Sequence, residues 1–329
     1  MSNPQNAEAI EPSFFIDCMS RFTYGRRRRF SATEVQKAVE YLLSQIPFKD
    51  KTNRTEDKLV RLVNSNNLFS FTDSVKIIEK LLKRSAFAKL DLIELAINFN
   101  VNVNESAIRF FEQNKEKQEK LQNFKAIRLY MILTAIPEAN FTESLKPILK
   151  EVEAQVDEIL QGEWWMVVKA NKNSLIRDHY KNTFYTKLMN RIDKLKPEEL
   201  SRESSTTLFL SLIKISVNKT LNIRVKEWVQ KHKELLNKPE MRRGLENAIR
   251  DTQETTHFFQ MLTLYNMAEL GLARMNILLK ETDLVKHTQR FGSLSGHLVS
   301  MLREIYHVPG RKIVSKVPED EDQEVAPTT

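Results

Sequence analysis

The chain has 329 residues and only seven Gly, none of them between Gly25 and Gly162; average usage of about 7% would supply about 23. Tight hairpins, phosphate-cradling βα loops and barrel corners need residues at φ > 0, so this composition excludes folds built on them. A single Cys likewise excludes a disulfide framework and a cysteine zinc site, in a chain that is 41% hydrophobic, 29% charged and +8 in net charge.

Residues 1–30 read as a basic, aromatic arm. Within it Arg21, Phe22, Tyr24, Arg26, Arg27, Arg28, Arg29 and Phe30 interleave guanidinium groups with rings. Ser31, with Glu34 three residues on, then has capping-box spacing. Val35, Ala38, Val39, Leu42, Leu43 and Ile46 follow as one helical stripe, ended by Pro47. A second helix carries Leu59, Leu62 and Val63, and a third follows Ser70 with Val75, Ile78, Leu81 and Leu82. Residues 90–99 form the next, and after the VNVN break another opens at Asn104 with Ala107, Ile108 and Phe111.

Residues 114–122 are polar all round, a solvent-facing turn or a link between hairpins. Helical spacing resumes through Phe124, Ile127, Leu129, Ile132 and Leu133 to Pro137. A long amphipathic helix starts at Thr142, or nearer Lys146 because Pro147 intervenes. It closes at Gly162, expected as a C′ residue. Further helices are predicted over 175–195, 204–215, 221–236, 241–270 and 272–282. Nothing alternates with period two for long enough to make a strand.

The expected fold is all-α: ten to thirteen helices, paired as antiparallel hairpins and stacked as an irregular α-solenoid. Four segments result: the arm 1–30, helical-repeat halves 31–162 and 163–307, and 308–329, irregular and then acidic. Residues 317–329 hold Glu319, Asp320, Glu321, Asp322, Glu324 and no base, and are expected to be disordered. Without them, residues 1–316 carry 51 bases against 38 acids, +13. Such a body attracts polyanions, RNA or anionic lipid among them.

Two stretches look like copies of one unit, 58–86 and 187–217. Each has an apolar helix, a polar break with an anchor (Leu68 and Leu200), a Ser/Thr-rich cap and a second apolar helix. Within the second, LMNRIDKLKPEELSRESSTTLFLSLIKI resembles the octotricopeptide and heptatricopeptide type of helical repeat, known from FAST-kinase-like and RAP-domain proteins of organelles. The resemblance covers residues 188–236, and no C-terminal RAP domain is visible. It implies an organellar, RNA-associated helical-repeat protein. The tetratricopeptide pattern is not present.

The candidates for chemistry are few. The six histidines, His179, His232, His257, His287, His297 and His307, are never closer than ten residues and form no H-E-x-x-H. Asp251, Glu254 and His257 share one helix face, as half of a carboxylate-histidine metal site would, and read as a solvated face because the run occurs once. Cys18 has no neighbouring base in sequence and reads as an idle thiol. The loop from Gly292 to Gly296 lacks the following Lys-Ser/Thr and a flanking strand, so it is an inter-helix turn. Trp164 and Trp165 read as core between hairpins, with a stacking or membrane-surface patch as the alternative. No catalytic residue, metal ligand or cofactor loop can be named, so no enzyme and no small-molecule substrate are expected.

The arginine run is the sharpest feature. Arginines grip phosphates bidentately, and arginine planes and rings stack on unpaired bases. The expected RNA contacts are Arg21, Tyr24, Arg26, Arg27, Arg28, Arg29, Lys231, Arg242 and Arg243. The last three belong to a basic series with Lys219, Arg224, Lys226 and Lys233, diluted by Glu227, Glu234 and Glu240. No stretch approaches the ~20 apolar residues that span a bilayer, and residues 1–12 carry no secretory core. The expected function is a subunit of a large ribonucleoprotein, an organellar ribosome or RNA-processing assembly, in a mitochondrial or other organellar matrix or otherwise the cytoplasm. An organellar address implies a removed or atypical presequence. The alternative is a protein–protein scaffold, a supernumerary subunit of a large protein complex without RNA, a mitochondrial membrane complex among the candidates.

Overall fold

The computed structural model describes residues 11–24, 30–49, 54–65, 68–85, 88–164, 166–196, 199, 202–216, 218–236 and 238–251. Among them there are fourteen α-helices and no strand, so the fold is all-α. They are α1 (Pro12–Tyr24), α2 (Ala32–Gln45), α3 (Arg54–Asn64), α4 (Phe71–Arg84), α5 (Leu90–Asn98), α6 (Asn104–Lys115) and α7 (Asn123–Ala135). After these come α8 (Leu145–Gln161), α9 (Met166–Asn173), α10 (Asn182–Ile192), α11 (Arg202–Ser216), α12 (Lys219–Lys231), α13 (Lys233–Leu236) and α14 (Pro239–Asp251). The helices predicted beyond residue 251, the Gly292 loop, four of the histidines and the acidic segment lie outside the described residues.

Local chemistry sets most boundaries. The Ser31 hydroxyl accepts the Glu34 N–H (3.2 Å) and the Ser31 N–H donates to Glu34 Oε2 (2.8 Å), the reciprocal capping box expected there. Behind it Ala38, Val39 and Leu42 are buried. Ser70 caps α4 in the same way, its Oγ accepting from Asp73 N–H at 3.1 Å. At the end of α5, Asn100 adopts φ 56, in the left-handed region. The Val101 N–H reaches Ala96 O (3.0 Å) and the Asn100 N–H reaches Ile97 O (3.1 Å), which satisfies carbonyls that the helix end would orphan. In this glycine-poor chain an asparagine takes the place a glycine commonly fills, because its short polar side chain tolerates the left-handed region.

The structure departs from the sequence reading in helix number, fourteen among the described residues against the ten to thirteen expected, with α9 not predicted, and in four further places. Residues 12–24 are a helix inside the expected arm, with Ile16 and Met19 buried on its inner side. Gly162 closes α8 at φ −102, so it is the last helical cap and no left-handed C′ residue. The chain turns in at once, since buried Trp164 starts a tight turn and the Val167 N–H bonds its carbonyl at 3.2 Å. The helix predicted over 175–195 begins instead with an extended segment and a 3-10 turn, Asp178–Lys181, before α10. The 221–236 helix breaks at His232, which separates α12 from α13.

Packing follows chain order. Each of α1, α3, α5, α7 and α9 packs on the next odd-numbered helix, ending at α11; α2 packs on α4, and α6 on α8, α8 on α10, α10 on α12. Chain neighbours pack between these rows, most extensively α7 on α8, while α11 receives α14 across its face. One hydrophobic core runs from Ile16 to Ala248. Helix α7 lies at its centre, touching α5 and α6 before it and α8, α9 and α10 after it, so the core continues across residue 162.

Candidate nucleic-acid interface

The residues expected to meet RNA fall at two ends of the stack. Arg21 is exposed in the last turn of α1, where a cation suits the helix C-terminus, and Tyr24 is the last residue of that helix. The helix is pinned to α3, because the Lys58 ammonium donates to Ser13 Oγ (2.8 Å) and Asp17 Oδ2 (2.6 Å). Phe15 meets Tyr41 of α2 edge to face at 4.8 Å. Arg26, Arg27, Arg28 and Arg29 lie outside the described residues.

Lys231, Arg242 and Arg243 are at the other end, on α12 and α14. Asn218 starts α12, its Oδ1 accepting the N–H groups of Thr220 (2.9 Å) and Leu221 (3.1 Å). Leu221, Val225, Trp228 and Val229, at i, i+4, i+7 and i+8, are buried against α10 and α11. That leaves Ile223, Lys226 and Gln230 on the outer side, with Lys231 closing the helix. His232 stacks on Trp228 at 4.4 Å, so this histidine is used in packing. In α14, Met241, Gly244 and Ala248 are buried towards α11. The helices approach so closely that a Cβ on Gly244 would stand 2.1 Å from Ser205 Oγ and 2.9 Å from its backbone carbon.

The bases of this end divide into two kinds. Arg224 is taken, its Nη2 reaching Asp193 Oδ2 (2.5 Å) and Asn190 Oδ1 (3.0 Å). Lys226, Lys231, Lys238 and Arg243 are exposed, and their side chains have no ion pair or hydrogen bond among the described residues. Glu227, Glu234 and Glu240 are exposed among them, so the surface is mixed in sign with the bases in excess. Arg242 precedes Arg243 in the first turns of α14.

A second charged constellation escaped the sequence reading. Glu94 in α5 is 0% exposed, and Arg128 in α7 grips it bidentately, Nε to Oε1 at 2.9 Å and Nη2 to Oε2 at 2.7 Å. Asp91 takes a further bond from Arg128 Nη2. The same Glu94 accepts the Leu175 N–H (2.7 Å), while Asn98 donates to Leu175 O (2.7 Å) and accepts the Arg177 N–H (3.0 Å). The extended segment before the 3-10 turn is thereby held by its backbone. Burial opposes the charge on Arg128, but hydrogen bonds and attraction from Glu94 and Asp91 outweigh it and hold the guanidinium above its ordinary range. Lys181 is buried nearby, its Nζ 3.5 Å from Asp178 and 3.3 Å from Asn171 Oδ1. Burial pushes its ammonium below the usual lysine range, against the attraction of Asp178 and Glu94.

A signal for this cluster was present. Glu94 interrupts the apolar run LDLIELAI and Arg128 interrupts AIRLYMIL, and a charge inside a helix buried on all sides requires a partner. Of the other candidates, Trp164 is buried in the core and His179 is exposed against Tyr180 at 4.0 Å. Cys18 is half-buried in α1. Among the described residues no three His, Cys, Asp or Glu side chains converge as a metal site, and no helix is long and apolar enough to cross a membrane. No protein-family model, curated protein or solved structure matches the chain.

Proposed function

We propose that the chain is a non-enzymatic helical-repeat subunit of a large ribonucleoprotein, an organellar ribosome or RNA-processing assembly, and that it meets RNA phosphates through basic side chains. The observation that carries this reading is the contrast in how its bases are used. Lys58, Lys89, Lys115, Lys187 and Arg128 each have carboxylate partners. Lys226, Lys231, Lys238 and Arg243 stand exposed without one among the described residues, on a body of +13. Unpaired surface cations release phosphate counterions on binding, and that release is the main source of sequence-independent affinity for RNA. The tricopeptide-type resemblance of residues 188–236 supports the helical-repeat and organellar parts of the proposal.

The test is RNA binding as a function of salt, on the full chain. Replacing Arg26, Arg27, Arg28 and Arg29 by Ala is expected to weaken binding and to flatten the slope of log K against log salt. At roughly 0.7–0.9 per lost phosphate contact, four contacts change it by about three units. An unchanged slope removes the arginine run from the interface. No RNA binding by the parent chain, with only proteins co-purifying before and after nuclease, replaces the reading by the protein-scaffold one.

A further inference from the structure

The chain carries a polyanion of its own. Glu319, Asp320, Glu321, Asp322 and Glu324 fall within six positions, and residues 317–329 contain no base. Among the described residues, the bases left unpaired at the far end of the helical stack are Lys226, Lys231, Lys238 and Arg243. We propose that the acidic segment 319–324 docks on these bases of α12–α14 and competes there with RNA. The competition rests on the RNA reading above; the docking does not.

Three observations favour this occupant. The first is charge: carboxylates placed against four exposed cations form contacts of the kind phosphates form, at hydrogen-bonding distance and with similar salt sensitivity. The second is connection. The described chain ends in α14, the helix that carries Arg243, and the acids follow on the same chain beyond Asp251. A tethered ligand meets its site at an effective concentration up to the millimolar range, so contacts too weak to hold a free peptide hold a linked one. The third is availability at this end of the molecule. Arg224 is already matched by Asp193, whereas Lys226, Lys231, Lys238 and Arg243 have no such partner among the described residues, and an incoming acid gains less at Arg224 because it must displace a partner in place. Elements α12 to α14 thus offer the acidic segment a surface whose cations are free and whose tether is continuous with it.

The experiment compares four full-length proteins binding a fluorescent oligo-uridylate of about 20 nucleotides, long enough for more than one basic contact. They are the parent; a neutral-tail variant (Glu319→Gln, Asp320→Asn, Glu321→Gln, Asp322→Asn, Glu324→Gln); a base variant (Lys226→Gln, Lys231→Gln, Lys238→Gln, Arg243→Gln); and the combination. Neutralising the tail is expected to tighten binding about five- to tenfold at low salt, with the gain shrinking as salt rises. In the base variant the same tail change is expected to give little or no gain. No gain in the parent background overturns the proposal. An undiminished gain in the base variant also overturns it, because the tail would then act through net charge rather than on this surface. If neither the parent nor the neutral-tail variant binds RNA, the ribonucleoprotein reading falls. The docking is then judged by a labelled peptide of residues 317–329 titrated into the chain truncated after Lys316. Binding that the base variant abolishes sustains the docking; absence of binding overturns it. Far-ultraviolet circular dichroism of each variant confirms unchanged helix content, since all the altered side chains of α12–α14 are exposed.

Discussion

Glu94 and Arg128 sit in largely buried helices, and both carboxylate oxygens of Glu94 are met by Arg128 Nε and Nη2 within 3 Å. Lys226, Lys231 and Arg243 sit on helices with one buried face, are exposed, and have no charged partner among the described residues. The same side-chain chemistry serves two ends. In the interior a charge is tolerated because its partner, backbone included, is already in place, and it selects which segments lie together. At the surface a charge costs the fold little and is available to a ligand. The interior cluster spans residues from Asp91 to Lys181, on both sides of residue 162, and fixes the segment between α9 and α10 by its backbone. The two regions are therefore separable by mutation.

The largest effect is expected from Arg128→Met. It leaves the Glu94 carboxylate buried with the Leu175 N–H as its remaining hydrogen-bond donor and Lys181 as the nearby charge, a loss of about 3–5 kcal/mol in urea unfolding. Adding Glu94→Gln removes the orphaned charge and is expected to recover a substantial part of that loss. If the double variant is no more stable than Arg128→Met, the cluster acts by packing rather than by charge.

Next is Gly244→Ala, whose Cβ would fall 2.6 Å from Ser205 Cβ and 2.9 Å from its backbone carbon. Trimming the hydroxyl cannot relieve the backbone contact, so α14 must shift on α11. Overpacking of this kind costs about 1–3 kcal/mol. Reduced RNA binding by this variant would tie the placement of α14 to the interface; a melting shift alone would confine the effect to packing.

A smaller change is expected from Lys181→Met, which keeps the volume and removes a buried ammonium, within about 1.5 kcal/mol of the parent at neutral pH. Its pH dependence is more telling. Burial lowers the folded-state pKa of Lys181 below its ordinary value of 10.5. The stability contributed by this group is therefore complete above pH 10.5 and is lost as pH falls through the folded pKa. Between those two values the parent is expected to gain stability with rising pH relative to Lys181→Met. Parallel profiles would mean that Asp178 and Asn171 compensate the burial in full.

Lys231→Gln with Arg243→Gln is expected to have the smallest effect on folding, with no measurable change in the urea midpoint, and a weaker, less salt-dependent affinity for RNA. A drop in stability would show that these bases take part in the fold after all.

The regular elements were legible wherever their determinants are local. Ser31 and Glu34 are three residues apart, and the capping box formed as that spacing predicts; the helix expected to follow Ser70 does so, with Ser70 Oγ accepting the Asp73 N–H. Helix α1 was obscured for the opposite reason: the four arginines at 26–29 dominate the composition of residues 1–30, while its buried pair, Ile16 and Met19, is too short a stripe to stand out. The extended segment before α10 was unreadable because it is held by Glu94 and Asn98, some eighty positions earlier.

By itself the sequence determined that this chain is all-helical, where several of its helices begin, and that its charge is basic over the body and acidic near residue 320. Helix formation and capping depend on groups within four residues of one another, and the glycine shortage removes the backbone conformations that other folds require. Only the tertiary structure decided which charges are spent. Arg128 pairs with Glu94 because α5 packs on α7, and Arg224 with Asp193 because α12 packs on α10, whereas Lys231 and Arg243 have no such neighbour among the described residues. A charge that falls as 1/r is settled by the few ångströms between helices, and those distances are set by the burial of apolar faces far apart in the chain.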